Sequence, residues 1–281
     1  EESSRPVCIV MKFDQAALRS VVEKVMADLG QAGDSRAETP PSSAASSSGA
    51  SGKTDCSCHG SQSPSSGKVS AFGVFDCVDE AAGAAHDAFQ QLKRLGVEGR
   101  ARAIEIVKMV CAANTERWGK FELEETGIGR IDHKVAKLEI MDKVPGVEWL
   151  RPYALSGDSG ITLEEYAPFG VVGAILPVTH SVPTLTGNVI NMVAAGNAVL
   201  FNPHPGGARS AAMAARAFNE EIARELGIEN LICVIENPTL DSFEKISQHE
   251  LIAIMAITGG PAVVAAAMQS GKRSICAGPG N

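Results

Sequence analysis

The chain has 281 residues with 25 Lys and Arg against 33 Asp and Glu, a formal net charge of -8. That acidic balance excludes a nucleic-acid partner, which needs a basic surface to displace the counterions of a phosphate backbone. The longest apolar run near the amino end, residues 7–11, is too short to span a bilayer or form a secretory core, and seven scattered cysteines argue against a disulfide framework. A soluble cytoplasmic protein in a reducing compartment is therefore expected, with no membrane partner. The length suits one large or two modest domains, and a chain that starts at Glu1 and stops at Asn281 inside a glycine-rich turn predicts a polypeptide that continues.

Residues 14–29 read as a helix. Asp14 can cap its amino end, Gly30 can close it, and Leu18, Val21, Val22, Val25, Met26 and Leu29 fall on one stripe. Residues 31–67 are rich in Ser, Gly, Ala and Pro and poor in large apolar side chains, so they cannot bury enough surface to offset chain entropy and are expected to be a linker. A helix on such a tether needs another surface to cover its apolar face. Cys56, Cys58 and His59 in the linker supply three donors without a fourth, so an oxidisable pair rather than a metal site is expected there.

From residue 68 to 150 the composition predicts a layer of packed helices. Ala85, Phe89, Leu92 and Leu95 mark a helical face within 79–95, and Ile104, Val107, Val110, Cys111 and Trp118 mark a second within 98–118. The run Glu125-Thr126-Gly127-Ile128-Gly129-Arg130 breaks the pattern. No buried strand precedes it, so its glycines are read as turn and packing residues rather than a phosphate loop. A helix at 132–141 follows, then an extended stretch over 148–162 with alternating and aromatic residues and glycine breaks.

Residues 166–209 are the organising stretch. A buried strand at 171–176 lies between Gly170 and Pro177. It leads into a loop carrying Thr179, His180 and Ser181, then a helix at 184–195 with Leu185, Val189, Met192 and Val193 at helical spacing, and a strand at 198–201. This is a right-handed βαβ unit, and the loop sits at the carboxyl edge of a strand, where ligands bind in open α/β sheets. A helix at 209–226, a strand at 231–235, a helix at 240–247, a strand at 251–257 and a helix from Pro261 to Gln269 continue the alternation. The fold class expected is α/β, a parallel doubly wound Rossmann-like sheet with an amino-terminal helical layer.

Pro-Phe-Gly-Val-Val-Gly at 168–173, Ala-Ala-Gly-Asn-Ala at 194–198 and Pro-His-Pro-Gly-Gly-Ala at 203–208 resemble the cofactor domain of the aldehyde dehydrogenase superfamily. The Pro-His-Pro form resembles its CoA-acylating, propionaldehyde-type branch, whose members oxidise short aldehydes to acyl-CoA with NAD. The resemblance divides the chain into the helix (1–30), the linker (31–67), the helical layer (68–150), an extended oligomerisation segment (151–165) and the NAD- and CoA-binding domain (166–281). It implies cofactor contacts at Pro177, Val178, Thr179, Asn202, His204, Gly206, Thr258, Gly259 and Gly260.

His180 stands where the family usually has an asparagine that stabilises the oxyanion, and an imidazole N–H can donate the same hydrogen bond. Asn202 and His204 stand within a stretch where hydrolytic relatives carry a lysine and a glutamate that hold the adenosine ribose, and their absence leaves room for CoA in the same groove. Ala277 stands where those relatives carry the glutamate that activates water, which favours thiolysis over hydrolysis. None of Cys8, Cys56, Cys58, Cys77, Cys111, Cys233 or Cys276 matches the family's nucleophile, which lies further along the chain, so the catalytic domain is largely absent from these residues. The helix at 14–29 and its tether are similar to the encapsulation peptides of enzymes housed in bacterial microcompartments, which implies shell proteins as partners, a location in the microcompartment lumen and a homo-oligomeric enzyme. The competing readings are a hydrolytic NAD(P)-dependent aldehyde dehydrogenase and a non-catalytic nucleotide-binding or encapsulated fragment.

Overall fold

The computed structural model describes residues 72–278. The expected helix at 14–29, the linker and the group Cys56, Cys58 and His59 lie outside the described residues.

The sheet is built from β1 (Val74–Phe75), β4 (Val171–Leu176), β5 (Ala198–Pro203), β6 (Ile232–Ile235), β7 (Ile252–Thr258) and β8 (Ser274–Ala277), in the order β1-β6-β5-β4-β7-β8, all neighbours parallel. Every residue of β4, β5 and β6 is buried, as the unbroken apolar runs require of strands covered on both faces. β5 extends past the expected end at Phe201, because β4 continues to pair with it through Leu176 opposite Pro203.

The helices are α1 (Val78–Thr126), α2 (Ile131–Glu139), α3 (Ser181–Ala194), α4 (Ala208–Leu226), α5 (Leu240–Gln248) and α6 (Pro261–Gln269). α1 is interrupted at Gly96, whose φ of 67° and ψ of -153° are not helical, so two helical stretches flank that residue as the pattern indicated. The second runs to Thr126 rather than stopping at Trp118. Its inner face continues one turn further through buried Glu122, a polar residue that hides the continuation from any apolar-periodicity reading. Gly127 then closes the helix with a left-handed φ of 63°.

α1 packs against α2, α3 and α4 and touches β5 and β6, so the helical layer covers one side of the sheet. Trp118 meets Phe218 of α4 edge to face at 5.4 Å between ring centroids. The layer is also tied to α4 by charge. Both oxygens of Glu125 receive backbone N–H groups from the first turn of α4, Arg209 at 2.8 Å and Ser210 at 2.7 Å, and the Ser210 hydroxyl donates to the same carboxylate. A carboxylate from another helix thus fills the capping role that Gly207, without a side chain, cannot.

Two asparagines set up the strands. Asn197 accepts from the N–H groups of Phe169 and Gly170 and so fixes the entry to β4, while fully buried Asn219 of α4 brackets the Ile232 peptide of β6. An antiparallel hairpin, β2 (Tyr153–Gly157) and β3 (Gly160–Glu164), lies outside the main sheet, with all ten strand residues exposed. The extended stretch expected over 148–162 is thus a hairpin displaced towards the carboxyl side.

The packing generates two expectations. Glu125→Ala should lower stability by about 1–2 kcal/mol, the usual value of a helix cap, seen as a reduced urea midpoint with an unchanged slope; an unchanged midpoint would mean water replaces the cap at no cost. At Gly173 a Cβ would lie 2.5 Å from Met255 Sδ, 2.9 Å from Ile246 Cγ2 and 3.1 Å from Ile252 Cγ2. The thioether can swing away but the stiff branched side chains cannot, so Gly173→Ala should cost about 1–3 kcal/mol in the same assay, and a stability equal to wild type would show that the core relaxes around the methyl.

Candidate functional site

Chain order along the sheet reverses beside β4. The path β4 to β5 to β6 moves one way, then β7 returns to the other side of β4 and β8 lies beyond it. Loops that leave the carboxyl ends of β4 and β7 therefore diverge, and a cleft of about 700 Å³ opens where they part. Pro177, Val178, Thr179 and His180 after β4, Asn202 and His204 at the end of β5, and Thr258, Gly259 and Gly260 after β7 all line it. Of the expected contact residues only Gly206 lies outside that lining. Leu240, Phe243, Val263 and Ala266 make the rest of the wall largely apolar, and among the described residues no Asp, Glu, Lys or Arg lines it.

His180 immediately precedes α3, with Thr179 Oγ1 2.7 Å from its Nδ1. Partial burial, together with the nearby cations Lys137 and Lys134, holds its pKa below the ordinary imidazole value, so the ring is neutral at neutral pH. The backbone around it is gripped from the helical layer. The Val182 N–H donates to Glu122 Oε1 at 3.0 Å, and the Lys134 ammonium donates to the Thr179 carbonyl at 2.9 Å. Lys134 Nζ and Glu122 Oε2 are 3.1 Å apart and both side chains are buried. The expected helix start at 184 is corrected to Ser181, because this carboxylate satisfies the Val182 amide of the first turn.

Close approach between the loops depends on glycine. A Cβ at Gly207 would lie 2.5 Å from Ser181 Oγ, and one at Gly206 would lie 3.2 Å from Val178 Cγ2. Gly206 thus seats one loop on the other, and its N–H donates to His204 Nδ1 at 3.0 Å. That bond makes Nδ1 an acceptor, which leaves Nε2 of the exposed ring as the nitrogen that can donate.

Asn202 lines the cleft with its side chain already engaged. Its Oδ1 accepts from Ser242 Oγ at 2.7 Å, and Ser242 with Thr239 forms the reciprocal cap of α5. Its first role in the fold is to tie β5 to α5. Gly259 likewise spends its N–H on the Ala277 carbonyl at 3.2 Å, in the ladder between β7 and β8. Gly260 is the residue before α6, Pro261 takes the first turn, nothing lies within 4 Å of a Cβ built at Gly260, and Gly260 and Ala262 put the amino end of α6 on the cleft wall. Ala277 and Gly278 complete the wall.

Of the four described cysteines, Cys111 and Cys233 are buried, and Cys77 and Cys276 are partly exposed. Burial pushes Cys111 up to about 11 and raises Cys233 further still, so both are neutral thiols in the core. Among the described residues no three His, Cys, Asp or Glu side chains group as metal ligands.

Glu122, Glu125 and Lys134 are the positions that sequence reasoning passed over. A signal existed: Glu122, Glu124 and Glu125 fall within the last five residues of α1 and oppose its dipole, an arrangement that calls for partners outside that helix.

Comparison with known proteins gives a consistent result. The model of the aldehyde dehydrogenase family matches residues 59–277. A CoA-propanoylating propanal dehydrogenase of Citrobacter freundii is 39% identical over 220 residues, 78% of this chain and 48% of that protein. The propionaldehyde dehydrogenase of Rhodopseudomonas palustris with bound propionyl-CoA superposes with a TM-score of 0.72 at 39% identity, covering 74% of this chain and 47% of the other. The propionaldehyde dehydrogenase of the Clostridium phytofermentans fucose utilisation microcompartment gives 0.72 at 40% identity, over 75% and 48%. The chain spans about half the length of these relatives. With a family model matching residues 59–277, most of its length, the chain belongs to the aldehyde dehydrogenase family.

Proposed function

We propose that this chain is the helical layer and nucleotide-binding part of a CoA-acylating aldehyde dehydrogenase, which oxidises a short aldehyde of the propionaldehyde or lactaldehyde type with NAD and releases acyl-CoA. The observation that carries this reading is the uncharged wall of the cleft, which Ala277 completes; the resemblance puts Ala277 where hydrolytic members have their water-activating glutamate.

The groove fits a nucleotide. It is apolar enough to take an adenine face, and the amino ends of α3 and α4 are occupied by Glu122 and Glu125, which leaves that of α6 at Gly260 to receive a diphosphate. Without a carboxylate to hold one ribose, the same groove admits NAD and then CoA. NAD, when bound, supplies the hydride acceptor. The attacking cysteine comes from the part of the enzyme that this chain does not span. As its thiolate adds to the aldehyde carbonyl, negative charge grows on oxygen, and the neutral His180 ring donates a hydrogen bond to it. Loss of hydride leaves a thioester on the cysteine, the CoA thiolate displaces that cysteine, and with no carboxylate at 277 to activate water the acyl group goes to sulfur.

The exposed hairpin supports an oligomeric enzyme. Ile161 and Leu163 are 77% and 62% exposed, and an isolated two-stranded ribbon is marginal in water, so the hairpin is read as an arm that pairs with another copy. The helix at 14–29 is read as the element that binds microcompartment shell proteins.

In the natural polypeptide, NADH formation from propionaldehyde should require CoA, and CoA-independent turnover to the free acid would favour the hydrolytic reading. His180→Ala should lower kcat by about 100-fold to 1,000-fold, the range for losing one oxyanion donor, while His180→Asn keeps most of the rate; a wild-type rate in His180→Ala would remove His180 from catalysis. Deleting residues 1–30 should abolish association with shell proteins and leave NAD binding intact, and retained association would place the targeting signal elsewhere.

A further inference from the structure

The residues that could set the geometry of the His180 loop are not in the cleft. Glu122 and Lys134 are 0% and 2% exposed and come from different helices of the layer, α1 and α2. Each spends its charge twice, once on the other and once on the backbone of the loop. The ammonium takes the carbonyl of Thr179, just before His180, and the carboxylate takes the amide of Val182, two residues after it.

We infer that the Glu122–Lys134 ion pair is a positioning device that fixes the backbone from Thr179 to Val182 and so presents the His180 imidazole at the cleft wall. The inference rests on the reading of His180 as the oxyanion donor.

Stability alone does not account for the pair. A buried ion pair is usually matched or exceeded in stability by apolar side chains of similar volume, because desolvation cancels most of the attraction. Apolar residues here would leave the Thr179 carbonyl and the Val182 amide without their present partners. One pair answers both, and answers them from a rigid layer instead of from the loop itself. The carbonyl belongs to the peptide that enters His180 and the amide to the peptide that leaves Ser181, so the pair constrains the backbone on both sides of the His180–Ser181 dipeptide and with it the direction of the His180 side chain. A donor that must meet an oxyanion at hydrogen-bond distance needs this kind of external support, since a small misplacement costs rate without costing ground-state binding. The positive end of Lys134 near the ring also disfavours protonation of His180, alongside burial and Lys137.

The test uses the natural polypeptide with Glu122→Leu and Lys134→Met combined, an apolar pair that is expected to keep the fold. Amide exchange at Val182 should accelerate by about tenfold or more while amides of β4 and β5 keep their protection. The His180 ring signal in ¹H–¹⁵N spectra, assigned by its loss in His180→Asn, should shift or broaden. The value of kcat should fall by about tenfold or more with KM for NAD and CoA unchanged, and Lys134→Arg alone, which keeps a donor and a charge, should recover most of it. A folded double variant with wild-type Val182 exchange and His180 signal overturns the proposal, as does an unchanged kcat. If the double variant does not fold, Glu122→Gln combined with Lys134→Met takes its place: it keeps an acceptor for Val182 but removes the Thr179 donor and the ion pair, so an unchanged His180 signal or an unchanged kcat overturns the proposal. The exchange and ring-signal readouts do not depend on turnover, so their change in a protein whose wild type shows no CoA-dependent oxidation would sustain the positioning role and reject the catalytic reading instead.

Discussion

A helix in a doubly wound sheet begins with N–H groups that have no partner inside the helix, and the whole site is arranged around how those groups are answered. Glu122 and Glu125 stand near the carboxyl end of α1, where the dipole of their own helix opposes them. They are stable there because each reaches the amino end of a neighbour, α3 for Glu122 and α4 for Glu125. Since these two helices follow β4 and β5, the caps set where the loops at the carboxyl edge of the sheet can lie. The helical layer is therefore part of the site's geometry without contributing a wall to the cleft.

The chemistry of the cleft follows from what is withheld from it. Its wall has no carboxylate, ammonium or guanidinium group, and two of its polar members, Asn202 and Gly259, already serve the cap of α5 and the ladder between β7 and β8. What remains is an apolar slot, a helix amino end at Gly260, the imidazoles of His180 and His204 and the side chain of Thr258. An environment of this kind binds mainly by shape and dispersion and confines its polar contribution to a few positions, the economy expected when positioning is the protein's main task. Such a slot offers no carboxylate to clamp a ribose, in keeping with the proposal that NAD and CoA use it in succession.

Much of this was legible in the residues. The unbroken apolar runs of β4 and β5, the glycine breaks at Gly170 and Gly196 and the proline at 261 mark buried parallel strands and helix starts by rules that act within a few residues, and the structure has those elements within a few positions of the expectation. The loop after β4 was marked as the ligand edge because sheet topology places it there. Less legible were the ends of elements decided by distant partners. α1 runs past Trp118 because Glu122 is buried against α3 and Lys134, and α3 starts at Ser181 because a side chain roughly 60 residues away in sequence caps it.

The sequence by itself determined the alternation of strands and helices, the apolar character of the sheet and the identity of the residues at its carboxyl edge, because periodicity, turn chemistry and the reach of one βαβ unit are local properties. Only the tertiary structure decided which polar groups are free. Asn202 reads in sequence as a residue available to a ligand, and the apolar periodicity singles out neither Glu122 nor Lys134, yet the fold spends the first on a cap and buries the other two together. The physical reason is that a polar side chain's role is set by whichever unsatisfied backbone group comes within hydrogen-bond distance of it, and that distance exists only after the layer has docked on the sheet.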